Sequence, residues 1–489
     1  MRSIQPEVAT TPASKARIWR TRFQLLKEGC LERNSDIRKR IIKQIFYKLF
    51  EPFFKEYYLY QTKQKASIID WKDVYCGEKT GLVSVVLPVY NQAELLEESI
   101  ESVLSQRYEN FELIIVDDGS TDGVEKILDK YATHPKILIF TQGNQKLPAA
   151  LSTGFANANG EFFTWTSADN IMLPNQLMEQ VRFLRENDFI QMVYCNYELI
   201  DEQGRPFERL STRSTNVVNT DQDVESLNYT YNFINACFLY RRYVATIIGN
   251  YDPYMYGAED YDYWMRINDH FAIQHIGRKE SYYKYRLHDN TILGREGEPA
   301  INDAITKAQQ LDIQRKAFFE LPITLYVPKD VPLDKRKKHR LPKELRLQLV
   351  AFESWNKLDS FLSNTPKNEK SLLFLTNREI KEMEYLSVMQ RCKDKELLFT
   401  VGIVYGNIDN SEIEHLNLLD WIIVDNRGSY HSLSPVYKDK LLCVLNSYNC
   451  LSLCTIIANY HLFYRHIGRT ISYPVPEHSI YKIEGNNSP

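Results

Sequence analysis

The sequence contains no uninterrupted apolar run of about 18 residues, which is the length that a membrane-spanning helix requires. Its amino-terminal segment also lacks the apolar centre of a secretory signal peptide. The formal net charge is only -3, so the charge balance gives no reason to expect a nucleic-acid partner. These absences predict a cytoplasmic protein.

Clustered cysteines are missing as well. The eight cysteines are scattered, and only Cys450 and Cys454 lie close together in the sequence. Neither a second pair nor a nearby histidine completes a zinc-binding pattern. We therefore expect reduced thiols with a structural role.

The length of 489 residues exceeds that of one ordinary domain, and 44% hydrophobic with 25% charged residues is typical of globular proteins. The patterns predict a basic helical extension at 1–80, an α/β domain at 81–300, a helix and linker at 301–350, and a smaller α/β domain of unknown role at 351–489. The basic run 334–340 is interpreted as a solvated connector rather than a site for nucleic acid or lipid.

The segment 37–50 has the pattern of an amphipathic helix. Ile37, Ile41, Ile45 and Leu49 recur every four residues, and basic side chains occupy much of the remainder. Packing against a neighbouring domain is the common role of such an apolar stripe. Peripheral contact with an anionic membrane surface is the alternative.

From residue 81 onward the pattern alternates between strands and helices. Apolar strands are predicted at 83–89, 112–118, 136–140, 161–166 and 191–197, with helices at 93–106, 122–131 and 147–158 and one that opens at Pro174. Such alternation predicts a mostly parallel sheet with helices on both faces, and ligands bind such sheets beyond the carboxyl ends of the strands. Later strands at 371–377, 397–406, 420–426 and 441–446 predict the second α/β unit.

Acidic residues follow two of the predicted strands. Asp117 and Asp118 end the second strand, where they can accept hydrogen bonds from a base or ribose, or simply form the turn before the next helix. Asp169 and Asn170 follow the fourth strand. A carboxylate at that position can hold a hard divalent cation, which prefers oxygen ligands.

Two further polar features lie near the end of the domain. Glu259 and Asp260 open a predicted helix, where acidic residues are favourable for the helix dipole alone. His288 follows a polar and aromatic strand, and a single histidine is more often structural than a ligand. Taken one at a time, these features leave structural and functional interpretations open.

Together and in this order, the motifs resemble glycosyltransferase family 2, whose members are inverting enzymes with the GT-A fold of nucleotide-diphospho-sugar transferases. The resemblance extends from Val83 to about Thr291. It rests on the segments VSVVLPVYN, ELIIVDDGSTDG, TWTSADN, YGAEDYDYW and YRLH. It implies a GT-A domain that carries an amino-terminal helical extension and a second, smaller carboxy-terminal α/β domain.

The resemblance implies a role for each matching residue. The donor-binding residues would be Pro88, Val89 and Tyr90 beside the nucleotide base, Asp117 and Asp118 at the base or ribose, and Lys146 and Ala168. Lys146 would replace an arginine that members often carry near Leu151. Asp169 and His288 would hold a divalent cation, either Mn²⁺ or Mg²⁺.

The catalytic base would come from Glu259 or Asp260, and we favour Asp260. Trp264 on the same helix is interpreted as packing. The chain departs from the family's DxD-type motif, because the triplet is Ser167-Ala168-Asp169 and only its last residue is a carboxylate. The polar, poorly patterned stretch 201–235 would hold the acceptor.

These roles predict transfer of a sugar from a nucleotide-diphosphate sugar to a hydroxyl of a glycan, lipid-linked or protein acceptor. The expected product is a surface polysaccharide or glycoconjugate. The alternative is a catalytically degenerate donor-binding or scaffolding protein.

Overall fold

The computed structural model describes residues 80–206, 217–218, 220, 224–229, 231–289, 291–329, 347–364, 369–381, 385–392, 395, 397–404, 419, 421–424, 441–444, 450–469 and 471. All of them belong to one compact unit. In this part of the chain, no helix is both long and apolar enough to cross a membrane. The predicted helix at 37–50 and the basic run 334–340 lie outside the described residues, so both stay predictions.

The first eleven strands form two sheets. They are β1 (Val83–Val89), β2 (Phe111–Asp117), β3 (Ile137–Thr141), β4 (Phe162–Trp165), β5 (Ile171–Met172), β6 (Met192–Tyr194), β7 (Asn196–Ile200), β8 (Val217–Val218), β9 (Phe238–Arg241), β10 (Ile273–His275) and β11 (Ser281–Arg286). One sheet has seven strands in the order β10-β6-β9-β4-β1-β2-β3, and the other has four in the order β5-β11-β7-β8.

The centre of the larger sheet is parallel, as the sequence predicts. Strand β1 pairs in parallel with β2 and β4, and only β9 runs antiparallel to its neighbours. All seven residues of β1 are buried, which explains its continuous apolar run. The strand order reverses between β1 and β4, and in open sheets the crevice beyond such a reversal is where ligands bind.

Helices cover both faces of this sheet. They are α1 (Ala93–Leu104), α2 (Val124–Leu128), α3 (Leu147–Ala156), α4 (Gln176–Glu186), α5 (Arg242–Ile248), α6 (Glu259–His270) and α7 (Ile292–Glu296). Pro174 does not open α4 as predicted. Its carbonyl accepts a hydrogen bond from the Arg107 amide (2.9 Å), and the Gln176 amide bonds to Leu173 O in a turn, so the helix begins two residues later.

The predicted strand at 191–197 is two strands in two sheets. Strand β6 pairs with β9 and β10, whereas β7 pairs with β8 and β11. The chain changes sheet at Cys195, whose amide bonds to Cys237 O (2.8 Å) and whose carbonyl accepts from Thr220 Oγ1 (3.0 Å). Cys195 and Cys237 are buried free thiols.

A third sheet occupies the carboxy-terminal region and is fully parallel, in the order β13-β12-β14-β15-β16-β17. Its strands are β12 (Ile323–Pro328), β13 (Leu347–Phe352), β14 (Lys370–Thr376), β15 (Leu398–Val404), β16 (Trp421–Val424) and β17 (Leu441–Val444). The helices here are α8 (Glu298–Glu320), α9 (Trp355–Asn364), α10 (Asn377–Lys381), α11 (Tyr385–Cys392) and α12 (Cys450–His466). Strand β12 therefore lies inside the stretch 301–350 that the sequence assigned to a helix and linker.

Helix α3 packs closely on the central strand, and this contact gives a test of the fold. A Cβ added at Gly154 would lie much closer to Val86 Cγ1 than the contact distance of two carbon atoms. We expect Gly154→Ala to lower the free energy of unfolding by about 1–3 kcal/mol, because overpacking outweighs the better helix propensity of alanine. Urea unfolding measures this change in the free energy of unfolding.

Gly143→Ala is the matched control, because a Cβ there meets nothing within 4 Å. Its stability should change by less than about 0.5 kcal/mol. If the two variants were equally stable, the close packing of α3 on β1 would be wrong.

Candidate functional site

A cavity of about 420 Å³ opens beyond the carboxyl ends of β1 and β4, where the strand order reverses. The end of β1, the loop after β4, the start of α6 and the segment 291–296 contribute to its wall. Five of the described lining residues are acidic, namely Asp118, Asp169, Glu259, Asp260 and Glu296, and two are basic, namely Lys146 and Arg295. The wall is therefore predominantly anionic.

Asp169 has one satisfied and one unsatisfied carboxylate oxygen. Its Oδ2 accepts a hydrogen bond from Gln92 Nε2 (3.0 Å) and lies 3.1 Å from His288 Nε2. Its Oδ1 is buried and has no hydrogen-bond partner among the described residues. A buried oxygen without a partner carries a large desolvation cost, so it is a candidate to bind a cation or ligand.

Arg286 holds the loop that carries Asp169. Its buried guanidinium donates to the Asp169 carbonyl (2.8 Å) and to the Glu202 carbonyl (2.6 Å), and its amide donates to Asn170 Oδ1 (2.8 Å). It also pairs with Glu98 on α1. One residue of β11 thus joins the loop after β4, helix α1 and the turn after β7, which gives Asp169 a defined position.

The two aspartates that end β2 have different roles in the structure. Asp117 Oδ1 accepts from the Ser120 amide (2.9 Å), so its carboxylate forms the turn. Asp118 lines the cavity and accepts from Gln142 Nε2 (2.7 Å) and from the Lys146 amide (2.8 Å). That last bond holds Lys146 at φ 73°, a strained left-handed conformation for a residue with a side chain.

Glu259 and Asp260 begin α6 with their carboxyl groups at the cavity. Burial, followed by the charge of Asp260, raises the pKa of Glu259 to about 8. Burial also raises the pKa of Asp260 to about 6, and a hydrogen bond from Asn232 Nδ2 to its Oδ2 (2.7 Å) opposes that rise. At neutral pH, Asp260 is therefore the ionised member of the pair.

Most of the residues that the sequence singled out meet at this cavity. Its lining includes Pro88, Val89, Tyr90, Asp118, Lys146, Asp169, Glu259 and Asp260. Asp117 and Ala168 do not line it, since Asp117 serves the turn and Ala168 is fully buried in the hydrophobic core. His288 reaches the site through its contact with Asp169, and Trp264 packs at 4.4 Å from the ring of Phe238.

Sequence reasoning missed several residues of the site. Gln92, Asn232 and Arg295 line the cavity without belonging to any motif considered above. Gln92 directly follows the segment VSVVLPVYN, which is the signal that could have drawn attention to it. Asn232 lies in the predicted acceptor stretch 201–235, of which residues 207–216, 219, 221–223 and 230 lie outside the described residues.

The donor set at Asp169 fits a divalent cation that shares its coordination with a ligand. No cluster of three or more His, Cys, Asp or Glu able to hold a metal occurs among the described residues. Asp169 and His288 supply a carboxylate and an imidazole, both of which suit Mn²⁺, and the unpartnered Oδ1 is the free acceptor. Mg²⁺ and similar ions usually keep water or phosphate oxygens in their remaining positions.

A buried ionic cluster lies under the helix that carries Glu259 and Asp260. Asp262 bonds to Arg266 Nε (3.0 Å) and to Arg315 Nη1 of α8 (3.3 Å), and none of these three side chains is exposed. Asp312 pairs with Arg315 from the other side. Tyr460 Oη of α12 donates to the Arg266 carbonyl (3.0 Å). The carboxy-terminal helices thereby fix the orientation of α6.

The doubly wound sheet with an acidic cavity at the reversal of its strand order is the architecture of a GT-A glycosyltransferase. Comparison with known sequences agrees. The model of Glycosyl transferase family 2 matches residues 84–247. A glycosyltransferase of Haemophilus influenzae is 30% identical over 224 residues, which cover 44% of this chain and 68% of that protein.

The chain therefore belongs to glycosyltransferase family 2. A glycosyltransferase of Rickettsia typhi is 34% identical over 193 residues, covering 38% of this chain and 58% of the relative. The chain thus spans less than two thirds of that relative's length. A crystal structure of S. aureus TarS 1-349 in complex with UDP-GlcNAc is 14% identical with a TM-score of 0.37, covering 79% of this chain and 92% of that chain.

The ionic cluster under α6 gives a second test. Arg315→Met would leave the fully buried Asp262 with one of its two partners and Asp312 without its closest one. We expect the free energy of unfolding to fall by about 3–5 kcal/mol, because an uncompensated buried charge has lost its solvation. Chemical denaturation measures the change.

Lys307→Met on the same helix is the control, since Lys307 pairs with Asp303 at a site where both side chains are more than 60% exposed. A surface pair contributes less than about 1 kcal/mol. Equal losses in the two variants would contradict a specific supporting role for Arg315.

Proposed function

We propose that this protein transfers a sugar from a nucleoside-diphosphate sugar to an acceptor hydroxyl, with inversion at the anomeric carbon. One observation carries the proposal. A single cavity combines the unpartnered Oδ1 of Asp169 with the carboxyl groups of the buried Glu259 and the half-buried Asp260. These are the two functions that the reaction needs, a site for the charge of the leaving diphosphate and a proton acceptor.

The anionic wall explains why the donor would need a cation. Even with Glu259 protonated, the four other acidic lining residues outnumber the two basic ones, so a diphosphate entering the cavity meets net repulsion. Asp169 and His288 would hold Mn²⁺ or Mg²⁺, which would neutralise charge on the diphosphate. Lys146 and Arg295 line the same cavity and would contact the phosphates. Asp118, Tyr90 and Val89 also line the cavity, and the nucleoside would bind beside them.

Asp260 would act as the general base. The acceptor oxygen forms a bond to the anomeric carbon while its proton passes to the Asp260 carboxylate. The bond between that carbon and the diphosphate oxygen breaks, and the leaving nucleoside diphosphate keeps the electron pair. A base placed within hydrogen-bond reach contributes a rate factor of about 10²–10⁴. Glu259, whose pKa of about 8 keeps it protonated at neutral pH, limits the negative charge beside Asp260.

The departure at Ser167-Ala168-Asp169 keeps a second function open, that of a degenerate donor-binding protein. Two features favour activity. The buried carboxyl groups of Asp169 and Glu259 are costly to retain without a role. Ser167 still lines the cavity at the position of the missing carboxylate.

We further propose a product that is a surface polysaccharide or glycoconjugate, and this proposal rests on the family alone.

Nucleotide binding tests the donor site. Calorimetric titration with UDP and with GDP should show binding that strengthens when Mn²⁺ is added. Asp169→Asn should remove the effect of Mn²⁺ because the amide is a poorer cation ligand. The exposed Asp303→Asn should bind like the unaltered protein. Absence of nucleotide binding with and without Mn²⁺ would refute the proposed function.

The pH dependence of the rate tests the base. We expect kcat/KM to rise with pH through about 6, because Asp260 accepts a proton only after losing its own. Asn232→Ala removes a hydrogen bond that favours the ionised carboxylate, so the acidic limb of the profile should move to higher pH.

Asn302→Ala on α8 is the matched control, since its side chain is exposed and does not line the cavity. Its acidic limb should stay in place. An Asn232→Ala profile that coincides with that of the unaltered protein would exclude Asp260 as the base.

A further inference from the structure

We propose that Tyr231 is the stacking platform of an acceptor subsite, and that the acceptor's reacting unit is therefore a sugar ring rather than a peptide side chain or a long-chain alcohol. The proposal rests on the proposed function and names its second substrate class. It follows from the placement, exposure and support of this one aromatic side chain.

Tyr231 lies in the wall of the cavity, beside the residue that contacts the base. It lines the same cavity as Asp169 and Asp260. Its neighbour in sequence, Asn232, donates to Asp260 Oδ2 (2.7 Å). A ligand lying on the Tyr231 ring would therefore present its hydroxyl groups towards the side of the cavity where the Asp260 carboxylate can accept a proton.

The ring is exposed although the surrounding aromatic side chains are buried. Tyr231 is 56% exposed, whereas Phe233 is 4% exposed. A large aromatic surface left open at a cavity is typical of a ligand contact, and tyrosine offers wide contact area at a small loss of side-chain entropy. Packing of the core does not account for this position.

The ring is also held in place. Tyr231 meets Phe233 edge to face, with ring centroids 6.1 Å apart and an interplanar angle of 77°. Phe233 packs in turn on Tyr194 (6.0 Å). The loop is closed by Asn235, whose amide donates to Asn232 Oδ1 (3.2 Å) and whose Nδ2 donates to Tyr197 Oη (2.9 Å). A preorganised platform loses little entropy when a ligand binds.

The chemistry of this wall matches a sugar. The axial C–H groups of a pyranose form an apolar face that suits the negative face of an aromatic ring, and its hydroxyl groups need polar partners at the edge. Tyr231 offers the ring, and Asn232, Asn235 and Tyr285 offer polar atoms in the same lining.

The experiment compares acceptor classes for each donor in a panel of nucleotide sugars. For each donor, the release of nucleoside diphosphate with Mn²⁺ is measured without an acceptor and then with methyl pyranosides, decanol or a Ser/Thr peptide. We expect the unaltered protein to be stimulated by a methyl pyranoside and not by the other two probes. Stimulation by decanol or the peptide alone, or donor hydrolysis that no pyranoside stimulates, overturns the proposal.

Variants then assign the effect to the ring. Tyr231→Ala should raise the pyranoside KM about tenfold, whereas Tyr231→Phe should retain the original KM because stacking needs no hydroxyl. Tyr254→Ala is the control, since Tyr254 is 65% exposed but does not line the cavity.

The outcomes separate the two proposals. An unchanged pyranoside KM in Tyr231→Ala, or an equal rise in Tyr254→Ala, overturns the role of Tyr231 while the donor reaction stands. Failure of the unaltered protein to bind nucleotide, or to release nucleoside diphosphate from any donor with or without an acceptor, refutes the proposed function and the acceptor subsite with it.

Discussion

Burial of carboxylate groups is the constraint on which this structure depends. Asp262, which is fully buried, lies between the guanidinium groups of Arg266 and Arg315, and its charge is compensated. Asp169 Oδ1 and Glu259 are buried without a cation of their own and face the cavity. A buried charge must be paired, protonated or bound to a ligand. The paired carboxylate therefore supports the fold, and Glu259 is protonated at neutral pH. The unpartnered oxygen of Asp169 marks the place where a ligand would complete the charge balance.

The carboxy-terminal region has a physical role that its sequence did not reveal. Helices α8 and α12 contribute Arg315 and Tyr460 to the surroundings of α6, the helix that begins with Glu259 and Asp260. The third sheet is tied to α8 as well, because the buried Lys370 Nζ donates to Phe318 O (2.8 Å). The orientation of the carboxyl pair thus depends on residues that follow the family match at 84–247 by more than 60 positions.

The cavity is also preorganised by its backbone. Asn91, Lys146 and Asn235 are the non-glycine residues with positive φ in the described part of the chain, and the last two line the cavity while Asn91 lies between two lining residues. Hydrogen bonds hold each of them. The Thr121 amide donates to Asn91 Oδ1, the Lys146 amide donates to Asp118 Oδ2, and the Asn235 amide donates to Asn232 Oδ1. Unusual backbone conformations persist only where the surrounding structure fixes them, and they cluster at binding and active sites because they preorganise the site for its ligand.

The sequence by itself determined the local elements and the position of the main acidic residues. The apolar run of β1 and the carboxylates at the ends of β2 and β4 are patterns within a few residues, so hydrophobic period and turn chemistry reveal them. Tertiary structure decided the rest. The division of 191–197 between two sheets depends on partners such as Thr220 and Cys237. The surroundings of Asp169 and Arg286 depend on Gln92 and Glu98, which lie 77 and 188 positions away from them. No local pattern encodes such partners, because only the folded chain brings them within hydrogen-bond distance.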